Sequence, residues 1–261
     1  MKPHTFQRTN KSELMVAKKS RPVRVSEEIK TWVVDRDLKQ GDKLPNEAEM
    51  IALFGVSKGT VREALRILEA EGLISTRTGP GGGSFVNKVT DDHAKSLLAN
   101  YFYFERLSLA DFYQLRKILE PELASNLAGQ LSSEQLDELD ALAHSNPEPA
   151  KSAQEEKEQH IASLRFHQLL AEFAQNRLLG FIIGFMARSL TDLTVYRRLY
   201  DPPNHELAKK GREHQQRLVT ALRQGKADEA REIMASHMAV AEELMGMQEA
   251  ELERRFISVK R

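Results

Sequence analysis

Residues 44–74 have the sequence LPNEAEMIALFGVSKGTVREALRILEAEGLI, and this stretch decides the fold of the N-terminal part of the chain. Asn46 and Glu49 have the spacing of a capping box, in which each side chain accepts a hydrogen bond from the other residue's backbone N–H. Gly55 is expected to end the first helix, because glycine takes a positive φ without steric cost. Ser57 is expected to cap a second helix. Two short helices joined by a glycine-containing turn predict a helix-turn-helix.

The second helix begins with hydroxyl side chains and positive charges, a composition that suits a recognition helix in the major groove of DNA. A β-hairpin with a glycine-rich tip is expected over residues 73–86, where a wing can contact phosphates or the minor groove. The alternative is an ordinary helical protein in which the tip is only a turn. The predicted DNA-binding residues are Ser57, Lys58, Gly59, Thr60, Arg62, Arg66, Arg77, Thr78 and Gly79.

This region, residues 26–86, resembles the winged helix of GntR-type bacterial transcription regulators, because residues 44–74 follow that family's signature almost from end to end. Ala48 and Lys58 are departures, since the family usually has arginine at both positions. Lysine can hold a phosphate as a point charge, but it does not offer guanine the bidentate fork of arginine. The resemblance therefore implies the fold more firmly than the operator sequence.

Composition indicates a basic N-terminal module beside an acidic remainder. The chain has 261 residues and no net charge, yet Lys and Arg outnumber Asp and Glu by 16 to 11 up to Thr90, and the rest has 22 against 27. No cysteine is present, which is compatible with a reducing cytoplasm. The N-terminus does not look like a signal peptide, and the most apolar stretch, Leu178–Ala187, is shorter than the roughly 20 residues that span a bilayer. We expect a cytoplasmic protein with no membrane partner.

The sequence predicts a mainly α protein with three segments. Residues 1–24 are expected to be a basic flexible tail, with a phosphate-contacting arm as the alternative. Residues 25–88 should form the winged helix-turn-helix domain, with its first helix beginning at Ser26. Residues 91–252 have apolar side chains at helical spacing between short polar breaks, which predicts an all-helical bundle of six to seven helices.

The predicted bundle resembles the ligand-sensing FCD domain of the FadR-like branch of GntR regulators. The resemblance depends on three stretches in the family's order: DFYQLRKILEPELA, RFHQLLAEFAQNRLL and REHQQRLVTALRQGKADEAREIMASHM, residues 111–124, 165–179 and 212–238. It implies a homodimeric, ligand-responsive transcription regulator of a catabolic operon that binds double-stranded operator DNA and a small organic acid effector. Repression relieved by the effector is the default expectation.

The resemblance also implies a divalent metal, zinc or nickel, held in this family by an Asp four residues before a His and by two further His. His167 and His237 match two of the histidine positions. Ser163 stands where the Asp is expected, and Gln215 stands where the remaining His is expected, with His214 one residue away. The candidate metal ligands are therefore His167, His214 and His237. The alternative for His167 and His237 is a hydrogen-bonded core histidine.

The expected ligand-binding residues are Arg116, Ser163, His167, Gln215 and His237. Arg116 has a guanidinium group that can clamp a carboxylate, and its alternative role is a salt bridge with Glu120 one helical turn away. His160 and His205 are expected at the surface.

Two other functions stay open at this point. One is a constitutive DNA-binding regulator whose sensor site has degraded, which the loss of the Asp at Ser163 suggests. The other is a metal-dependent hydrolase fused to a DNA-binding head. Against the hydrolase, the sequence has no recognisable nucleophile motif or phosphate-binding glycine loop, so we expect no enzyme.

Overall fold

The computed structural model describes residues 19–105 and 107–258, and within them it contains ten helices and two strands. The chain divides into two compact units between Ala94 and Lys95. The first 18 residues of the predicted tail lie outside the described residues.

The N-terminal unit contains three helices and a hairpin, and it ends with the first residues of a fourth helix. These are α1 (Arg21–Asp35), α2 (Glu47–Phe54), α3 (Lys58–Ala70), β1 (Ile74–Arg77) and β2 (Gly83–Val86). The prediction that the first helix begins at Ser26 was wrong, because α1 already begins at Arg21 with a proline in its first turn. Proline has a fixed φ that suits the first turn of a helix, and the N–H it lacks has no helical partner there. The last residues of the predicted tail therefore belong to α1.

The helix-turn-helix forms through the caps that the sequence predicts. The Asn46 side chain accepts a hydrogen bond from the Glu49 N–H at 3.0 Å, and the Glu49 carboxylate accepts one from the Asn46 N–H at 2.8 Å. Gly55 ends α2 with a φ of 60°, in the left-handed region. Ser57 caps α3. The core below consists of Val25, Ile29, Leu44, Met50, Val56, Val61, Ala64, Leu68 and Ile74.

The wing is an antiparallel pair of β1 and β2, with Ile74 opposite Val86 and Arg77 opposite Gly83. Its tip is the glycine-rich turn between the strands, where Gly79 has a φ of 90°. An isolated antiparallel β-bridge also joins Lys43 to Phe85, so the segment before α2 pairs with strand β2 of the hairpin.

Seven helices follow in the described part of the chain, which is the upper end of the predicted six to seven. They are α4 (Asp91–Glu105), α5 (Leu109–Leu127), α6 (Ser133–His144), α7 (Ala153–Glu172), α8 (Arg177–Arg197), α9 (His205–Arg223) and α10 (Ala227–Ser258). Ser108 and Ser132 begin α5 and α6 with capping boxes, and Asn176 caps α8. α10 runs six residues beyond the predicted boundary at residue 252.

Apolar side chains from α5 to α10 form one continuous core, with α5 packed against α10 and α7 against α8. Helix α8 is longer than its most apolar stretch suggested. It has 21 residues, and its length and composition are sufficient to cross a membrane. Eight of these residues, including Ile183, Phe185 and Leu190, are nevertheless buried in the bundle. We therefore interpret α8 as the core helix of a folded domain.

Candidate functional sites in the head and the bundle

The N-terminal part of α3 offers a polar surface. Ser57, Lys58, Gly59, Arg62 and Arg66 are exposed, and Thr60 is half-buried. The Ser57 hydroxyl lies 2.9 Å from the Thr60 hydroxyl and caps the helix, so both side chains are oriented before any partner binds. The opposite side of α3 is buried through Val61, Ala64 and Leu68, and this fixes which side faces outward.

A carboxylate that the sequence analysis did not single out holds two of these cations. Glu47, at the start of α2, accepts a hydrogen bond from Arg62 Nε at 2.8 Å and lies 3.8 Å from Lys58 Nζ. Hydrogen bonding to Arg62 lowers the pKa of Glu47 and raises the pKa of Arg62. Because α2 and α3 are fixed by their caps, Glu47 restricts the direction in which Arg62 points.

The wing places its predicted residues at the surface. Arg77, Thr78 and Gly79 are exposed, and the Arg77 guanidinium stacks 4.5 Å from the centre of the Phe85 ring. Lys43 lies over the same ring at 5.8 Å and donates a hydrogen bond to the Gly81 carbonyl at 3.5 Å. Lys43 is not among the predicted DNA-binding residues, because its place beside the wing depends on the bridge to Phe85.

The helical unit contains a cavity of about 60 Å³ whose lining comes mainly from α5, α7, α9 and α10. The structure brings all five predicted ligand-binding residues to its wall: Arg116, Ser163, His167, Gln215 and His237. Residues three or four apart share one face of a helix, and α7 shows this with lining positions at 156, 159, 160, 163 and 167.

A buried chain of polar groups crosses the wall of the cavity. The Arg116 Nε donates a hydrogen bond to one oxygen of Glu120, and the other oxygen lies 2.5 Å from His167 Nδ1. His167 Nε2 lies 3.1 Å from His237 Nε2, and the two rings are stacked. Since Nδ1 of His167 donates to a carboxylate, its Nε2 accepts from the Nε2–H of His237 when both rings are neutral.

Burial and pairing set the charges in this chain. Burial opposes the charge of Glu120, but Arg116 and His167 outweigh it, so the pKa of Glu120 lies far below its ordinary value. Burial likewise opposes the charge of Arg116, yet Glu120 and Tyr113 keep its pKa above the usual one. Burial, followed by the neighbouring His167 and Arg116, lowers the pKa of His237 well below 6.5. His237 is therefore a neutral imidazole at physiological pH.

The residues that replace the family's metal ligands bond to each other. The Gln215 amide donates to the Ser163 hydroxyl at 3.1 Å and to the Ser163 carbonyl at 3.2 Å. His214 is not among the residues that line the cavity, and its Nε2 lies 3.3 Å from the Ser236 hydroxyl. The centre of the His214 ring lies 5.4 Å from that of the His237 ring, so His214 is next to the buried polar chain but not at the cavity wall.

This donor set does not fit the metal site that the resemblance implies. Over residues 19–105 and 107–258, no group of three or more His, Cys, Asp or Glu side chains is arranged to hold a metal ion. His167 and His237 supply two nitrogens, and the positions for the carboxylate and third imidazole are a neutral hydrogen-bonded pair. Structural and catalytic zinc sites have at least three protein ligands.

Three further residues at the cavity were missed or misplaced by sequence reasoning. His160 was expected at the surface, but it is half-buried at the cavity, where burial and then the charge of Arg116 lower its pKa to about 4. His205 is exposed, as expected. Glu156 is 3 % exposed and lies at the cavity wall, and Tyr113 packs beneath the Arg116 guanidinium at 5.2 Å. The spacing of 156, 160, 163 and 167 was the signal that would have indicated this face.

Two family models match the chain, one for each unit. The model of bacterial regulatory proteins of the gntR family matches residues 22–86, and the FCD domain model matches residues 111–240. The first match covers the helix-turn-helix and the wing, and the second covers the helices around the cavity.

Similar proteins align with this chain over most of its length. An HTH-type transcriptional repressor NanR from Cronobacter sakazakii is 27% identical over 235 residues, which cover 85% of this chain and 84% of the relative. NanR from Escherichia coli K12 is 27% identical over 234 residues, with 85% and 83% covered. The solved structure of a Streptococcus agalactiae GntR shares the fold, with a TM-score of 0.56 at 20% identity over 85% of this chain and 99% of that one. The chain therefore belongs to the GntR family of bacterial regulatory proteins and has an FCD domain as its C-terminal part.

Proposed function

We propose that this protein is a cytoplasmic, homodimeric repressor that leaves its palindromic operator when a small organic acid binds in the cavity of the helical unit. The observation that carries the effector part is Arg116, which is 1 % exposed at the cavity and whose Nη2 has no hydrogen-bond partner among the described residues. A buried cationic donor without a partner is costly, and a carboxylate is the group that satisfies it best.

The DNA-binding part of the proposal draws on the exposed side of α3 and on the wing. Arg62 and Lys58 lie at the start of the recognition helix, where base edges and phosphates are met. Arg77 and Lys43 flank the tip of the wing, where they are placed to contact phosphates or the minor groove. Both NanR relatives are named as repressors, and this supports repression as the direction of control.

Effector binding can change the bundle through the buried polar chain. Glu120 on α5 contacts His167 on α7, and His167 contacts His237 on α10, so one network joins three helices. A carboxylate at Arg116 would compete with Glu120 and alter that network. Such a ligand shifts the protein between two states only by binding one of them more tightly.

The size of the cavity limits the effector. The cavity measures about 60 Å³, whereas a buried cavity that holds benzene measures about 150 Å³. We expect a small acid, or an acid whose entry moves the surrounding helices apart.

The effector is held without a metal in this proposal, because the Ser163–Gln215 pair takes the place of two metal ligands. The metal-dependent hydrolase is not proposed, since it would need the metal site that these donors do not form. The regulator of a catabolic operon remains the role proposed for the chain.

A homodimer would place two recognition helices in successive major grooves. Large apolar side chains on α4 and α5 are available for such contacts: Leu97, Tyr101, Leu115 and Ile118 are between 48% and 64% exposed. Contiguous apolar patches mark protein–protein contacts, and we propose that these four side chains contribute to one in the dimer.

The test begins with selection of bound sequences from a random DNA library by the purified full-length protein. A palindromic consensus is expected, and the selected duplex then serves in an anisotropy titration against a panel of small carboxylic acids. At least one acid should weaken DNA binding tenfold or more. Failure of every acid to change DNA affinity would favour the constitutive regulator instead.

Gly211 offers a way to close the cavity without touching a charged group. A Cβ at Gly211 would lie 3.8 Å from His237 and 3.9 Å from the Ser163 hydroxyl, so Gly211→Ala fits at ordinary contact distance. Gly211→Leu should fill the cavity, keep DNA binding and abolish the response to the acid. Gly211→Ala is the matched control and should retain the response.

A further inference from the structure

The cavity has a second polar end, formed by acceptors instead of donors. Besides Arg116 Nη2, the buried Glu156 Oε2 and Gln159 Oε1 have no hydrogen-bond partner among the described residues. All three side chains line the same cavity. Buried polar atoms are almost always paired in folded proteins, so three unpaired ones around one cavity indicate a ligand that pairs with them.

Both acceptor side chains are held in place by their other polar atom. Glu156 Oε1 accepts a hydrogen bond from the Asn204 N–H at 3.1 Å, and Gln159 Nε2 donates to the Glu148 carbonyl at 2.9 Å. Each side chain is therefore oriented, and one oxygen of each, Glu156 Oε2 and Gln159 Oε1, is left for another partner. Glu156 is also 3 % exposed, so bulk water does not supply that partner.

The two ends lie within the length of a small molecule. Glu156 and His160 are one turn apart on α7, about 6 Å along the helix axis. Arg116, His160 and Glu156 all line one cavity of about 60 Å³. A small molecule in this cavity can therefore meet both Arg116 and Glu156.

The two polar ends of the cavity also differ in charge. Arg116 forms a buried ion pair with Glu120, whereas Glu156 has no ion pair with any side chain that the structure describes. A second carboxylate at the Glu156 end would be repelled, and a hydroxyl or ammonium group would donate a hydrogen bond there.

We infer that the effector is a small carboxylic acid whose far end carries hydrogen-bond donors, hydroxyl or ammonium, which Glu156 and Gln159 accept. This inference rests on the proposed function, since it requires an acid held by Arg116. It separates hydroxy and amino acids from plain alkanoates and dicarboxylates as ligands of this cavity.

The experiment measures binding of matched acids to the full-length protein by isothermal titration calorimetry. The probes are gluconate against hexanoate, 4-aminobutyrate against butyrate, and glutarate as the dicarboxylate. At least one donor-bearing acid should bind tenfold or more tightly than its plain partner, and glutarate should bind no better than butyrate. The gluconate and 4-aminobutyrate arms distinguish hydroxyl from ammonium as the donor.

Two variants test this inference separately from the proposal that Arg116 holds the acid. Glu156→Gln keeps the oxygen that Asn204 contacts, and it should reduce the preference for the donor-bearing acid at least tenfold while the plain acid binds as before. Arg116→Met should abolish binding of both members of each pair. The analogue comparison needs only the natural protein, so it stands even when a variant does not fold.

The outcomes distinguish the donor-bearing effector from the more general proposal of an acid-responsive repressor. Plain acids that bind as tightly as donor-bearing ones would overturn this inference and leave an acid-responsive repressor in place. If no acid in the panel binds, the proposed effector class and this inference fail together. A preference for donors that survives both Glu156→Gln and Gln159→Leu would also overturn the inference, because the acceptors would then lie elsewhere.

Discussion

The DNA-binding head and the cavity of the bundle handle charge in opposite ways. In the head, Arg62 and Lys58 are exposed and share a partly exposed carboxylate, Glu47, so their pairing contributes little to stability. In the bundle, Arg116 and Glu120 are both about 1 % exposed, and each depends on the other. Charges on a surface that exchanges partners can be held weakly, whereas charges inside a folded domain must be paired. The two regions should therefore respond differently to the same kind of mutation.

The largest effect is expected for Glu120→Gln, which leaves the buried Arg116 without a matching charge. The free energy of unfolding should fall by about 3–5 kcal/mol, the usual result of breaking a buried ion pair. Glu122→Gln is the matched control two residues away, because Glu122 pairs with Arg231 at the surface. It should leave stability unchanged. Urea unfolding followed by far-UV circular dichroism measures both, since most of the helix lies in the bundle.

The next largest effect is expected for Arg62→Ala, which should weaken specific DNA binding about 5- to 150-fold. This range corresponds to the roughly 1–3 kcal/mol that a base-reading arginine contributes. Stability should not change, because Arg62 is exposed. Arg223→Ala removes the same charge from the surface of α9 and is expected to leave DNA affinity unchanged. Anisotropy titrations with the selected operator measure all three proteins. Equal affinities for the two variants would mean that α3 does not read DNA.

Acid should destabilise the bundle before it affects the head. Folding lowers the pKa of His160 from 6.5 to about 4, so between these values the unfolded chain binds a proton that the folded chain does not. The contribution of His160 to stability is therefore constant above pH 6.5 and is lost as the pH drops towards 4. The contribution of His160 is about 1–2 kcal/mol, reduced from the full value of the shift because the ring is partly exposed.

Thermal melts between pH 7 and pH 4 check this expectation. His160→Gln should flatten part of the slope, and the exposed His205→Gln should not change it. Trp32 is the only tryptophan in the chain and belongs to the head, so its fluorescence reports the head separately. If the melting temperature reported by Trp32 fluorescence falls as much on acidification as that of the bundle, the expected difference between the two units is wrong.

A smaller effect is expected for Asn46→Ala, which removes the cap of α2 and should destabilise the head by about 1 kcal/mol. The Asn46→Asp variant keeps an oxygen that accepts from the Glu49 N–H, and it should retain most of the stability. Trp32 fluorescence during urea unfolding measures the two variants. The midpoint of the bundle transition should be the same in both.

The difference also explains how far sequence reasoning reached. The head could be predicted because its determinants are local: Asn46 with Glu49, Ser57 with Thr60, and Gly55 between them. The two caps are hydrogen bonds between residues three positions apart, and Gly55 provides the positive φ that ends α2. The start of α1 was missed because a proline in the first helical turn is compatible with either a tail or a helix.

The cavity depends on contacts that no local pattern encodes. Glu120 and His167 are 47 residues apart, and His167 and His237 are 70 apart. Family resemblance indicated which residues line the cavity, but it did not show that Glu120 serves Arg116 and His167 together. The spacing of Arg116 and Glu120 looks the same on an exposed helix as on a buried one, so only burial distinguishes a surface pair from a receptor.

The hydrogen bond between Gln215 and Ser163 has a consequence for the physiology of such a regulator. A sensor that needs zinc or nickel responds to two inputs, its effector and the cell's supply of that metal. With a neutral amide and hydroxyl in place of two metal ligands, and with Arg116 as the anion receptor, the proposed sensor depends on the effector alone. Gene control by this protein would then stay the same during metal starvation, and chelators added to growing cells would leave its response unchanged.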